Sequence, residues 1–508
     1  MNNIDYAVFF AYILSILTLG FYHARRSQGF LEFFLAGRSM HWFPIGISIM
    51  VTAFSAINYT AFSGEVFANG SYVLLSLPVF VLVAWPVTRV IMPLYHSMNV
   101  SSAYEYLERR FDVRVRRVAS GLFILWRLLW MATLIYVPCT VLALITGIDT
   151  SILILLAGAI ATVYTLAGGM RAVMWTDVIQ FFVLCGGVIL SIGIGSWRHP
   201  DGLTGMLQSG IDAGLGRPFH PFDARMFALD PTIRITLWSS WIGTFVAFLA
   251  RYGADQVVVQ RYFTARSLHH ARRGFQVNYI SAIFALLLLG LMGFAIHSHA
   301  VTAMPTAHGG APPVFFFSQF VRSLPVGATG LIVAGLFAAT MSSIDSGINS
   351  CTAALISDFY RQRQNPEKGP GELFLSRAGV VLFGSLATFL SLHVGRLGSI
   401  FEIANRIINA MGSPLLALFL LGLFSRRVNR LGAAAGGLLA TIASAWICFT
   451  VDPLALHYYA VANLLVSLAL IYGCSLIENA FYAPPSPAQL GWTWYGRAWS
   501  EAPPDRSA

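Results

Sequence analysis

Apolar residues along this chain come in long unbroken blocks, with the polar residues gathered between them. Thirteen blocks, most of about 18–28 residues, can be read near 4–22, 44–68, 72–95, 118–146, 150–167, 172–196, 235–260, 275–300, 326–358, 372–394, 398–424, 431–451 and 455–480. A helix of that length crosses a hydrocarbon core of roughly 30 Å. The pattern predicts an all-α integral membrane protein with about 13 transmembrane helices, forming a single membrane domain over 1–482. The longest intervening piece, 197–234, is too short to build a core of its own. The tail over 483–508, with APPSPAQ and EAPPDRSA in its vicinity, has a composition that predicts disorder.

Two of the blocks read as broken helices. The second, SIMVTAFSAINYTAFSGEVFANG, places Ser48, Thr52, Ser55, Asn58, Thr60 and Ser63 within an apolar run. The seventh, LWSSWIGTFVAFLARYGADQ, contains Gly243 and Gly253. Polar or glycine-interrupted helices in matching positions of two halves point to a binding site at the bilayer midplane of an inverted-repeat transporter. The halves would be 44–196 and 235–424, with 4–22, 431–451 and 455–480 as extra helices. A lone serine or threonine in a span more often bonds back to its own helix or to a neighbour. The density of such residues in the second block argues against that reading there.

Composition sharpens this picture. The chain is 56% hydrophobic and 11% charged, whereas a soluble protein is about 25% charged. Its formal net charge is +10, and the arginines behind it cluster in alternate connections: Arg25, Arg26 and Arg38; Arg109, Arg110, Arg114, Arg116 and Arg117; Arg261, Arg266, Arg272 and Arg273; Arg361, Arg363, Lys368 and Arg377; and Arg426, Arg427 and Arg430. Cytoplasmic loops hold the excess of Lys and Arg. The N-terminus is therefore expected outside and the C-terminus inside a plasma membrane, the bacterial cytoplasmic membrane being the natural setting. Positive-inside loops account for the charge without nucleic acid, since no basic residues interleave with aromatics on a soluble domain. The first block has no basic stretch before it and no small-residue cleavage site, so it is read as a retained helix. Cys139, Cys185, Cys351, Cys448 and Cys474 all fall in predicted spans and read as packing residues.

The candidate chemistry lies in charges and hydroxyls at membrane depth. Arg127 and Arg251 sit inside apolar blocks, where a charge costs roughly 2.5–3.5 kcal/mol on insertion scales and so faces a partner, a cavity or a substrate path. Arg251 and Asp255, spaced i, i+4, could simply pair. Asp177, about two turns into the sixth block, also needs a cation, a proton or an arginine. The ninth block, GLFAATMSSIDSGINSCTAALISDFY, sets Ser342, Ser346 and Asn349 on one helical face with Asp345 beside them. Hydroxyls together with carbonyls freed at a helix break suit a hard cation such as sodium. The competing reading is a polar packing seam between helices.

Three motifs carry a family resemblance. YTLAGGMRA (164–172) followed by WTDVIQ (175–180) resembles the hallmark of the sodium:solute symporter family, GLFSRRVNRLGA (422–433) matches its second pattern, and SAYEYLERRF (102–111) is similar to its usual entry after the third span. The resemblance covers roughly 5–480. It implies a five-plus-five inverted repeat with a LeuT-like core, and secondary transport driven by sodium. It implies a sodium site at Val51, Phe54, Ala339, Ser342 and Ser343, and in some members a second sodium at positions matching Asp177, Ser342, Asp345 and Ser346. Here a carboxylate replaces the middle hydroxyl of that second set. It places substrate contacts at Ser55, Asn58, Ser76, Phe80, Trp130, Arg251 and Tyr252, and Arg127 lies one turn from Trp130. Sugar-carrying members tend to have an aromatic where Arg251 stands. A guanidinium there favours a carboxylate, which it grips bidentately.

The expected function is sodium-coupled symport, with one or two sodium ions, of a small organic anion or zwitterion: a monocarboxylate, an amino acid such as proline, or an acidic sugar. A proton-coupled carrier with Asp177 or Asp345 titrating is the alternative, and a membrane solute sensor a more distant one. An enzyme is not expected, because the spans lack HExxH and GxSxG. The sequence leaves the oligomeric state open.

Overall fold

The computed structural model describes residues 2–24, 29–304, 312–360, 370–394, 400–451, 455, 457–481 and 485–496. These form helices joined by turns. In chain order the long helices are α1 (Asn3–Ala24), α2 (Trp42–Ala53), α3 (Ala56–Asn69), α4 (Ser71–Met98), α5 (Val113–Thr146), α6 (Thr150–Leu166), α7 (Gly168–Arg198), α8 (Ser239–Gly253), α9 (Gln256–Phe263), α10 (Leu268–Ala303), α11 (Ala328–Tyr360), α12 (Pro370–Val394), α13 (Ile400–Phe424), α14 (Arg430–Thr450) and α15 (Tyr458–Phe481). Among the described residues, ten segments are apolar and long enough to cross a membrane, and two more are bent pairs, α2/α3 and α8/α9. With the shorter apolar α6, the thirteen expected blocks each meet a helix or a helix pair.

The bends have local causes. α2 stops at Phe54 and Ser55, both in extended conformation, and α3 leaves at 63° to it. α8 and α9 meet at 51°, where Asp255 is extended and its carboxylate accepts from Val257 N at 3.0 Å. That contact satisfies a backbone N–H at the start of α9 which a straight helix would have paired internally. Between α6 and α7 the chain turns at Gly169, with φ 58°. A Cβ there would lie 2.7 Å from the Phe33 carbonyl oxygen, so both backbone angle and space call for glycine. This is the glycine pair of the 164–172 motif. Two residues on, Arg171 donates to the Ala36 carbonyl and to Ser39 Oγ, fastening the connection between α1 and α2.

The other two motifs meet each other. Arg110, from the 102–111 motif, donates to the carbonyls of Gly422 at 3.0 Å and Ser425 at 2.7 Å, in the 422–433 motif. A guanidinium thus satisfies orphan carbonyls at the C-terminus of α13. Arg116 is likewise buried, paired with Asp358 and Glu108. Arg110 and Arg116, read from sequence as loop charges, are structural ties in the interior. The tail also departs from expectation over 485–496. Ser486 and Gln489 form a capping box on a short helix, Pro487–Gly491, Gln489 donates to the Phe111 carbonyl, and Trp494 N donates to the Leu423 carbonyl. The rest of the tail lies outside the described residues.

Burial orders the layers. The most apolar window of α11 is 94% buried, against 28% for α1 and for α15. The helix richest in hydroxyls is therefore the central one. It packs on α2, α5, α6/α7 and α12, while α14 and α15 pair with each other and with α13 at one side.

Candidate functional site

The break after α2 faces the middle of α11. Ser343 Oγ donates to the carbonyls of Thr52, at 3.2 Å, and Ala339, at 3.3 Å. Thr52 Oγ1 lies 3.1 Å from Ser346 Oγ and 3.5 Å from Ser342 Oγ. Val51, Phe54, Ala339, Ser342 and Ser343 are all buried along this seam, and the Val51 carbonyl accepts from Phe54 N as α2 ends. The carbonyls of a last helical turn have no helical partner, and a hydroxyl that donates one hydrogen bond still offers lone pairs. The seam is thus lined with hard oxygen donors, the set a sodium ion takes.

Beneath it lies a second cluster. Asp177 accepts from Ser342 Oγ and from Ser48 Oγ, each at 2.5 Å. Asp345 accepts from the Tyr164 hydroxyl and, at 3.1 Å, from Ser346 Oγ. The residues expected to hold a second sodium are therefore adjacent, but they share their space with Arg261. Its guanidinium donates to Ser48 Oγ at 2.7 Å, Thr52 Oγ1 at 2.6 Å, Ser346 Oγ at 2.5 Å and the Val257 carbonyl, and lies 3.5 Å from Asp177. Sequence position had put Arg261 in a cytoplasmic loop. It is a fully buried residue of α9 that ties α2, α7 and α11 together. Two carboxylates and one guanidinium therefore share a buried cluster of hydroxyls next to the seam.

Above the seam is a cavity of about 270 Å³. Met50, Ala53 and Phe54 of the α2 break form part of its wall. Asn58, Ser76, Phe80, Arg127, Trp130, Arg251 and Tyr252, all expected substrate contacts, line it as well. Ser55 stands behind Asn58, to which its hydroxyl donates at 3.1 Å. The i, i+4 pairing of Arg251 with Asp255 does not form. Asp255 is taken by Arg127, a buried ion pair between α5 and the α8/α9 break, and Arg127 also stacks near Trp126. Among the described residues Arg251 makes no hydrogen bond or ion pair, and it is half-buried in the cavity wall. Two arginines and one aspartate leave the cavity one positive charge.

Sequence reasoning did not single out Trp126, Thr244, Asn278, Asn409, Ser413 and His457, which also line the cavity. Asn278 had a readable signal, an amide beside Gln276 at the start of an apolar block. His457 is a single histidine at the edge of the 455–480 block, just before α15.

Comparison with known proteins follows the same lines. The profile of the sodium:solute symporter family matches residues 33–440. A sodium/sialic acid symporter of Aliivibrio fischeri, NanT, is 30% identical over 494 residues, covering 94% of each chain. The sodium-dependent multivitamin transporter of Oryctolagus cuniculus is 31% identical over 456 residues, or 87% of this chain and 70% of that one. The human sodium-coupled monocarboxylate transporter 2 is 28% identical over 451 residues, or 87% and 72%. Among solved structures, a substrate-bound, outward-open sodium-coupled sialic acid symporter superposes with a TM-score of 0.86 at 26% identity, covering 96% of this chain and 99% of that one.

Proposed function

We propose a mechanism that starts from one premise: the chain belongs to the sodium:solute symporter family. It is an integral membrane protein with the LeuT-like fold and a sodium-coupled symporter of organic solutes. The cargo proposed here is a small carboxylate, an anion or a zwitterion. One observation carries that choice: among the described residues Arg251 makes no hydrogen bond or ion pair, while Arg127 pairs with Asp255. An unpaired guanidinium in a low-dielectric cavity is costly to leave alone and presents a fork that matches a carboxylate. The sodium/sialic acid and monocarboxylate symporters that resemble this chain are named for acids, which supports the same reading.

Coupling follows from shared walls. Sodium held by Val51, Phe54, Ala339, Ser342 and Ser343 would fix the α2 break against α11. The same break supplies Met50, Ala53 and Phe54 to the cargo cavity. Ion and cargo thereby order one piece of backbone, and each strengthens the other's binding by the same factor, typically about 1–3 kcal/mol. Rocking of one helix group against the other then opens the site to the opposite face. The oxygens of Ser342, Ser346, Asp177 and Asp345 beside this seam add further acceptors for a cation. With the remaining arginine-rich connections on the cytoplasmic side, the N-terminus lies outside and the C-terminus inside.

A thermal-shift screen tests the cargo class. Monocarboxylates, amino acids, acidic sugars and their neutral amides would each be added with and without sodium. Ligands stabilise by mass action, so acids should raise the melting temperature in sodium and their amides should not. Shifts from neutral sugars equal to those from acids would overturn the carboxylate assignment.

A further inference from the structure

The cargo cavity has a second polar end. Among the described residues, four buried polar atoms on side chains lining the cavity lack a hydrogen-bond partner: Trp126 Nε1, Arg127 Nε, Thr244 Oγ1 and His457 Nδ1. A buried polar group left unpaired costs about 1–3 kcal/mol. Four around one cavity point to a ligand that satisfies some of them.

Their placement divides them. Asn278 is on α10 beside Tyr252, next to Arg251. Thr244 lies on α8 seven residues before Arg251, within the regular helical stretch Thr244–Gly253. Seven residues are two turns, so Thr244 and Arg251 share a face about 10 Å apart along the helix axis. Between them Phe248 packs on Phe80, with ring centroids 4.4 Å apart, and gives the cavity an apolar waist. His457 closes the Thr244 end. Its backbone meets α8 at Gly243, where a Cβ would fall 2.2 Å from the His457 carbonyl oxygen. A neutral imidazole carries one donor and one acceptor.

Building on the carboxylate reading, we propose that Thr244 and His457 form a distal subsite that hydrogen-bonds a hydroxyl or amide of the cargo about 10 Å from the carboxylate held by Arg251. The cargo is then an extended, polyfunctional acid. An acid of two or three carbons reaches Arg251 but not Thr244.

Binding of pyruvate, gluconate and N-acetylneuraminate to the purified full-length protein in sodium tests this, using wild type, Thr244→Val and Thr244→Ser. Valine keeps the shape and removes the hydroxyl, while serine keeps the hydroxyl. The expected result is that at least one of the longer acids binds wild type more tightly than pyruvate. Thr244→Val should weaken that acid by about three- to tenfold relative to pyruvate, and Thr244→Ser should not. His457→Phe, measured in parallel, should lose affinity for the same acid, so an unstable Thr244→Val does not end the test. Equal effects of Thr244→Val on long and short acids would overturn the distal subsite and leave the carboxylate reading standing. So would a wild type that prefers pyruvate. Absence of sodium-dependent binding of any acid to wild type would sink both.

Discussion

Arg251 and Arg127 lie in the same cavity wall with the same charge, and the structure gives them opposite work. Arg127 pairs with Asp255; Arg251 makes no hydrogen bond or ion pair among the described residues. Replacing each with glutamine separates the roles. On the proposed carboxylate reading, Arg251→Gln removes a charge-assisted hydrogen bond to the cargo and breaks no hydrogen bond or ion pair among the described residues. Such bonds contribute about 1.5–3 kcal/mol. At 1.4 kcal/mol per tenfold, an acidic cargo should bind roughly 10- to 150-fold more weakly, while its amide and the melting temperature change little. Arg127→Gln leaves Asp255 buried without its cation, and breaking a buried pair from one side costs about 3–5 kcal/mol. That variant should lose thermal stability before any ligand is added. Isothermal titration of acid and amide in sodium, with melting curves of both variants, reads the two effects. If Arg251→Gln weakens acid and amide alike, or if Arg127→Gln melts like wild type, the division of labour is wrong.

Other perturbations reach the neighbouring parts of the site. Ser343→Ala removes a hydroxyl from the seam between the α2 break and α11, and should raise the sodium concentration for half-maximal uptake by about three- to tenfold; an unchanged value would remove Ser343 from the site. Arg261→Met takes the cation from a buried cluster of two carboxylates and should destabilise the fold by about 3–5 kcal/mol, whereas Arg261→Lys should recover part of the loss; wild-type melting in Arg261→Met would contradict the buried tie. Deleting residues 485–508 removes the Gln489–Phe111 and Trp494–Leu423 contacts, and a lowered melting temperature with sodium-dependent uptake retained is the expected outcome.

What the sequence revealed was what is local. A span announces itself by twenty apolar residues in a row, and the break in α2/α3 by hydroxyls packed where lipid would not tolerate them. The stretch from Thr340 to Ser350 is polar all along one buried face, so it could be placed at the centre without knowing its neighbours. Arg261 was misplaced because an arginine just past an apolar block looks the same whether it faces cytoplasm or turns inward. Only the bend at Asp255 sends it beneath α2. The Arg251–Asp255 spacing likewise suggested a pair, but the same bend turns Asp255 toward Arg127 on α5. Thr244 carries no local signal, since a hydroxyl in an apolar helix ordinarily bonds its own backbone. The unpaired state of its Oγ1 exists only in three dimensions. The order in 485–496 depends on a docking surface made by Phe111 and Leu423, which nothing in that proline-rich stretch encodes.

On the proposed function, sodium bound between the α2 break and α11 drives uptake of an acid. Proteoliposomes containing the purified protein, loaded with choline and diluted at fixed pH into sodium or choline medium with a radiolabelled acid identified by the thermal-shift screen, test it most directly. The account predicts accumulation above the external concentration in sodium and none in choline. Equal accumulation in the two media, above all if it followed an imposed pH gradient, would contradict it.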